Sequence, residues 1–170
     1  MVWAASSTVS RSLCAAACAF ALAAAATPQE DTERADASLR AGDLITAMAL
    51  LRQAADAGHA PAQARLADLL DVAEQDAQAV ALYRKAAEQG NAAGEFGLGR
   101  MLTQGEGVAR DVPEGLRWIQ RAAAGDHAPA IEWLARAHRS GDLGLARDPQ
   151  EAARLEARAK ALRVTAGAAR

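Results

Sequence analysis

The chain has 170 residues, of which 19 are basic and 21 acidic, giving a formal net charge of −2. These charges are interspersed and form no basic stripe, which argues against a nucleic-acid-binding protein. Hydrophobic residues make up 51% of the chain but aromatic residues only 4%, because alanine supplies much of the apolar content. No segment rich in Val, Ile and Thr alternates with a period of two, so we expect no β-sheet. The length suits one compact domain or one short solenoid.

Residues 1–26 have the pattern of a secretory signal peptide. Arg11 is the only charged residue, an apolar run follows it, and Ala24–Ala26 forms an Ala-x-Ala cleavage site. We therefore expect cleavage after Ala26 and a periplasmic or secreted protein of a Gram-negative bacterium. Two alternatives stay open, an uncleaved membrane anchor and a lipoprotein acylated at Cys18. Cleavage would remove both cysteines, Cys14 and Cys18, and leave no disulfide or thiol nucleophile.

The first predicted helix of the mature chain begins at Thr27, where Pro follows and Glu30 completes a capping signature. It extends to about Ala41, Gly42 ends it, and Asp43 caps the next helix. This pair of helices forms a degenerate first unit, as is typical of a terminal repeat.

A second unit covers residues 58–89, and its corner at residues 71–76 is four residues shorter than that of the third unit. The spacing of apolar residues predicts two helices on either side of this corner. Their predicted inward-facing residues are Ala62, Leu66, Leu69, Leu70, Ala79, Leu82, Tyr83, Ala86 and Ala87.

The third unit, residues 90–124, is the most regular. Leu98, Met101 and Leu102 lie on one helical face, and the glycines at 105 and 107 end that helix. Asp111 is placed to cap the next helix, with Glu114 at capping-box spacing. A fourth unit begins near residue 125, and its last helix opens at Asp148-Pro149-Gln150-Glu151. Residues 163–170 have little left to pack against, so we expect them to fray.

A paired alanine recurs in these units, at Ala54-Ala55, Ala86-Ala87 and Ala122-Ala123, at intervals typical of helical-repeat arrays. The third unit resembles the Sel-1-like repeat, a relative of the tetratricopeptide repeat. The matching positions are Gly94, Leu98-Gly99, Gly105-Glu106-Gly107-Val108, Asp111, Trp118 and Ala122-Ala123, with departures at Leu102 and Gly115. The resemblance implies an all-α, right-handed solenoid of about four antiparallel helix pairs over residues 27–162. It also implies a protein-binding scaffold that needs no cofactor.

Several patterns that suggest chemistry have simpler explanations. The glycines at 94, 97 and 99 superficially suggest a phosphate-binding loop, but no strand precedes them, and inside a helix they favour close helix contact. His59 and His127 each begin a His-Ala-Pro-Ala string, which indicates a repeated helix start and not a metal site. Ser38 and Ser140 lie in no nucleophile elbow. We therefore predict no catalytic, cofactor-binding or metal-binding residues.

The tryptophans differ in what the repeat requires of them. Trp118 stands at a packing position of the repeat, and we expect it in the core. The repeat does not require a tryptophan at Trp133, because Arg65 and Gly97 occupy the equivalent positions. Exposed aromatic and arginine side chains are typical interface anchors.

We therefore hypothesise a partner-binding patch composed of Arg100, Trp133, Arg136 and Arg139. The alternative is a solvated helix face with one partly buried ring.

The function that the resemblance implies is that of an adaptor or regulator in the bacterial cell envelope, holding a protein or peptide on the concave helical surface. The rival is a cell-wall hydrolase, since some cysteine-rich relatives are described as β-lactamase-like. Those relatives carry a disulfide in each repeat, whereas the predicted mature chain has no cysteine. A nitrocefin hydrolysis assay would separate the two possibilities.

Overall fold

The computed structural model describes residues 26–168. The predicted signal peptide, with Cys14 and Cys18, lies outside the described residues except for Ala26. The last two residues of the chain, 169–170, also lie outside them.

Residues 26–168 form eight α-helices and no strand, which confirms the predicted all-α solenoid of four antiparallel helix pairs. We call the odd-numbered helices the first helices and the even-numbered ones the second helices. The helices are α1 (Pro28–Arg40), α2 (Leu44–Asp56), α3 (Ala60–Val72), α4 (Asp76–Glu88), α5 (Ala92–Gln104), α6 (Val112–Ala124), α7 (Ala128–Ser140) and α8 (Pro149–Ala168). Helix α8 thus includes residues 163–168 of the predicted tail. Within the described range, no helix combines the length and the apolar character that a membrane span needs.

The helix starts follow the predicted capping residues. Thr27 forms a full capping box, because its hydroxyl accepts from the Glu30 amide and its own amide donates to the Glu30 carboxylate. Asp43 caps α2 as predicted. Asp111 caps α6, but the capping box predicted there is only half formed. The Asp111 amide donates to the Leu102 carbonyl instead, and the Glu114 carboxylate accepts from the Trp118 indole.

Each helix packs on the next along the chain, and first helices also contact each other across units. Helix α1 contacts α3, and α3 contacts α5, whereas the second helices of successive described units have no comparable contact. Helices α1, α3 and α5 therefore lie closer together than α2, α4 and α6 and form the concave side of the stack. Helix α7 joins this side at its start, where His127 contacts Phe96, and the second helices form the outer side.

Glycines inside α5 and α6 allow the tightest helix crossing. A Cβ atom on Gly99 would lie 2.5 Å from Ile119 and 2.7 Å from the Gly115 carbonyl oxygen, and one on Gly115 would lie 2.6 Å from the Gly99 carbonyl oxygen. This confirms the prediction that the glycines permit close helix contact. It also explains why Gly115 replaces the alanine of the repeat pattern.

The interior is built largely from alanine and leucine in two clusters. One extends from α1 to α5, and the other joins α6, α7 and α8. Trp118 packs against the first cluster but is only partly buried, and the Arg121 guanidinium lies 4.7 Å from its ring centroid. Trp118 therefore packs against the core as predicted, but its side chain is less buried than predicted.

Candidate functional site on the concave surface

An open cleft of about 380 Å³ lies on the concave side, where α3, α5 and the start of α7 meet. We call it the concave cleft. Its lining residues are Asp68, Asp71, Val72, Tyr83, Ala93, Phe96, Gly97, Arg100, His127 and Pro129. All but one come from the first helices or the turn that precedes α7. The exception is Tyr83, which reaches the cleft from α4.

Tyr83 reaches the cleft because Gly97 has no side chain. A Cβ atom on Gly97 would lie 2.3 Å from the Tyr83 ring, so the ring passes behind α5 at this residue. The buried ring directs its hydroxyl to the far side, where it donates a 2.7 Å hydrogen bond to Asp68 Oδ1. Burial raises the pKa of Tyr83, and the Asp68 carboxylate raises it further, so the hydroxyl stays a hydrogen-bond donor. Burial also raises the pKa of Asp68.

Arg100 forms one wall of the cleft and is held by two carboxylates. Its guanidinium is ion-paired with Asp71 on α3, and it lies 3.3 Å from Glu106 Oε2 in the corner after α5. Burial on its own would lower the pKa of Arg100, but the neighbouring Asp71, Tyr83 and Glu106 together raise it. Arg100 therefore stays charged and joins α3 to α5 across the cleft.

The opposite wall is aromatic. The Phe96 and His127 rings lie with centroids 5.5 Å apart and planes inclined by 48°. Burial lowers the pKa of His127, so its ring behaves as a neutral aromatic surface at pH 7. The equivalent positions of α1 and α3 are joined by a hydrogen bond instead, where the Thr32 hydroxyl lies 2.9 Å from His59 Nδ1. The two histidines thus join successive first helices, in keeping with their predicted role as repeated helix-start residues.

A second depression lies beside α7 and is lined by Trp133, Arg136, Ala137, Ser140, Asp142 and Leu143. We call it the C-terminal hollow. Trp133 is partly buried against the second core cluster, and Arg136 is exposed. Arg139 points elsewhere and forms a 2.5 Å ion pair with Glu156 on α8.

The structure thus brings only two of the four predicted patch residues together. Trp133 and Arg136 share the C-terminal hollow, Arg100 lies in the concave cleft, and Arg139 bridges α7 to α8. That these residues bind a partner stays a prediction.

Sequence reasoning missed the cleft residues Asp68, Tyr83 and Phe96 as members of one site. One signal could have pointed to Asp68, which is the ninth residue of its first helix, as Arg100 is of α5.

Ser140 and His138, near the end of α7, have structural partners. Ser140 Oγ lies 3.0 Å from the Arg136 carbonyl oxygen and 2.5 Å from Asp142 Oδ2, at the end of α7. His138 Nδ1 lies 3.4 Å from the Ala146 carbonyl oxygen. Within residues 26–168, no group of His, Cys, Asp and Glu side chains is arranged to hold a metal ion.

A stack of helical hairpins with an open concave surface defines the class of α-solenoid repeat proteins. The family model of the Sel1 repeat matches this chain at residues 39–59, 60–91, 92–127 and 128–161. The chain therefore belongs to the Sel1 repeat family, whose members are commonly protein–protein interaction scaffolds. No curated protein matches the sequence.

Three solved structures are similar to the described fold. A Sel1 repeat protein from Oxalobacter formigenes has a TM-score of 0.70 at 19% identity, covering 78% of this chain and 56% of its own, which shows the fold alone. The protein c5321, described as a protective antigen of uropathogenic Escherichia coli with an SLR fold, has a TM-score of 0.66 at 30% identity, covering 78% and 30%. A structure described as that of a sel1 repeat protein from Klebsiella pneumoniae subsp. pneumoniae has a TM-score of 0.68 at 27% identity, covering 79% and 68%.

This chain spans only 56% and 30% of the first two of these proteins.

Proposed function

We propose that this protein is a non-enzymatic scaffold of the bacterial cell envelope that binds a protein or peptide partner along its concave surface. The observation that carries the proposal is the concave cleft, which lies on the first helices and opens to solvent. The core lies behind it, between the first and second helices. A partner can therefore be bound without any rearrangement of the packed interior.

The chemistry of the cleft suits a polypeptide partner. It combines an aromatic wall at Phe96 and His127 with the charged side chains of Asp68 and Arg100. Such a mixture of apolar and charged contacts is typical of protein interfaces, in which a few aromatic and arginine residues supply most of the binding energy. Val72, a large apolar side chain that is 85% exposed, lies at the rim.

The envelope location is supported by the composition of residues 1–26 and by the position of the first helix. Thr27, the residue after the predicted cleavage site, is the N-cap of α1. Cleavage there would leave the whole helix intact, and the new α-ammonium group would lie where the Thr27 amide now meets the Glu30 carboxylate, 2.8 Å away. We expect the protein isolated from a periplasmic extract to have the intact mass of residues 27–170. A mass that includes residues 1–26, or one increased by acyl chains at Cys18, would contradict cleavage after Ala26 and a free periplasmic protein.

Site-specific photocrosslinking in living cells tests the binding surface. A benzoylphenylalanine at Val72, in the cleft rim, should give a crosslinked partner band. Benzoylphenylalanine in place of Gln120, an exposed residue of the second helix α6, serves as the matched control and should give no crosslinked band. Crosslinks from Gln120 but not from Val72 would contradict the proposal.

A further inference from the structure

The ninth residue of each first helix carries a charge, and its sign reverses halfway along the stack. These residues are Asp36 in α1, Asp68 in α3, Arg100 in α5 and Arg136 in α7. Asp68 and Arg100 both line the concave cleft, which places this repeat position on the concave surface. At this repeat position, the residue is therefore acidic in α1 and α3 and basic in α5 and α7.

Two of these four charges are neutralised within the protein. Asp36 lies 3.0 Å from the Arg65 guanidinium, and Arg100 is ion-paired with Asp71 and Glu106.

The other two charges have no ionic partner among residues 26–168. Asp68 accepts a hydrogen bond from the neutral Tyr83 hydroxyl, and no basic group lies within 4.0 Å of it. Arg65 and Arg100 influence the Asp68 carboxylate only from a longer range.

Arg136 likewise has no carboxylate within 4.0 Å in the described part of the chain. The acidic residues near it form ion pairs with other arginines. Glu132 pairs with Arg163 at 2.7 Å, and Glu156 pairs with Arg139. A carboxylate and a guanidinium without ionic partners thus occupy the same repeat position two units apart.

We infer that the partner is a polypeptide segment lying along the concave surface, with a basic residue against Asp68 and an acidic residue against Arg136. This inference rests on the proposed function and specifies the chemistry of its partner. Charges of opposite sign at the two ends fix the direction and the register of the bound segment.

The geometry also sets the spacing of the two charged residues. Packed helix axes lie about 8–10 Å apart, and α7 meets α5 only at its start, so α3 and α7 are separated by roughly 20 Å or more. An extended peptide advances about 3.3 Å per residue, which places its basic and acidic residues about six or more positions apart.

Apolar residues between the two charges would have aromatic surface to contact. Phe96 lies in the concave cleft beside the site of Asp68, and Trp133 lies beside Arg136 in the C-terminal hollow. Both rings are partly buried and partly open to solvent.

The experiment uses a random 12-residue peptide library displayed on phage and selected on the purified wild-type protein. Selected peptides should carry Lys or Arg and Asp or Glu about six or more residues apart. Asp68→Lys and Arg136→Glu should each weaken binding of these peptides by at least about tenfold, because attraction becomes repulsion. Replacing the basic residue of a peptide by Glu should restore its binding to the Asp68→Lys variant.

Matched controls make the same charge changes on the second helices. Asp56→Lys on α2 and Arg117→Glu on α6 involve exposed residues outside the cleft and should leave peptide affinity within about twofold of wild type. Circular dichroism should show equal helix content in all variants.

Two other outcomes separate the inference from the function on which it rests. Peptides that need Phe96 and Trp133, but bind both charge-reversed variants within about twofold of wild type, would overturn the charge assignment and leave the proposed function standing. Peptides that are insensitive to Phe96→Ala, Trp133→Ala and both reversals would count against the concave binding surface itself.

Discussion

The packed interior and the concave surface of the same repeats differ in how much their residues vary from unit to unit. Between the helices, the paired alanines recur with nearly complete burial, at Ala54-Ala55, Ala86-Ala87 and Ala122-Ala123. On the concave surface, the ninth residue of the first helix changes from Asp to Arg along the stack. Packing positions are enclosed by the neighbouring helix, whereas concave positions are also open to contacts outside the protein. Substitutions on the two sides should therefore separate stability from binding.

The largest expected effect is that of Tyr83→Ala, which removes a ring that is 2% exposed. Loss of the buried ring and the resulting cavity should lower the free energy of unfolding by about 3–5 kcal/mol. Tyr83→Phe is the control, since it keeps the ring, loses only the hydrogen bond to Asp68, and should cost about 1 kcal/mol. Urea denaturation measures both values. Equal losses in the two variants would mean that the hydroxyl, and not the packing of the ring, matters.

Trp118→Ala should have a smaller effect than full burial would give, because the indole is only partly buried. We expect a loss of about 2–3 kcal/mol in the free energy of unfolding, from lost contact with the first core cluster and with Arg121. Trp118→Phe should recover most of this loss. A loss for Trp118→Ala as large as that for Tyr83→Ala would contradict the partial burial.

Gly99→Ala tests the helix crossing. The added methyl group would meet Ile119 and the Gly115 carbonyl oxygen, and this strain should exceed the gain in helix propensity. The net loss should be about 1–2 kcal/mol in the free energy of unfolding. The same change at Gly167 in α8, where nothing lies within 4 Å of the added atom, should cost nothing. A stabilised Gly99→Ala protein would show that the two helices can separate freely.

The smallest effect belongs to Asp68→Asn, which should slightly raise the melting temperature at pH 7 while weakening partner binding. Because the pKa of Asp68 is raised by burial, the folded state holds more protons than the unfolded state between the usual value of 3.8 and the raised one. Wild-type stability attributable to this group therefore falls as the pH rises through that interval. The asparagine variant lacks this dependence, so the two melting temperatures should converge below about pH 3. A lower melting temperature for Asp68→Asn at pH 7 would mean that the carboxylate stabilises the fold.

The sequence was sufficient to predict the repeats, because each unit carries the same local signals. Glycine endings, capping aspartates and the paired alanines depend on neighbours a few residues away, and Asp43 and Asp111 cap the helices expected of them. The sequence also predicted that Gly97 and Gly99 permit close contact between helices.

The site was less predictable, because it depends on pairs of residues from different units. Arg100 could be recognised as a cation on a first helix, but its ion pair with Asp71 joins residues that are far apart in sequence. The pattern showed that Gly97 allows a close approach, but not that the Tyr83 ring fills the space. The sequence prediction includes Arg139 in the patch because it is close to Arg136 in sequence. Its side chain instead forms an ion pair with Glu156 on α8.

Hydrogen exchange with and without a selected peptide tests whether the first helices bind the partner while the second helices only support them. Binding should slow exchange in α3, α5 and α7, with little change in α4 and α6. Protection that is confined to α4 and α6, or that is equal on the two sides of the stack, would contradict it.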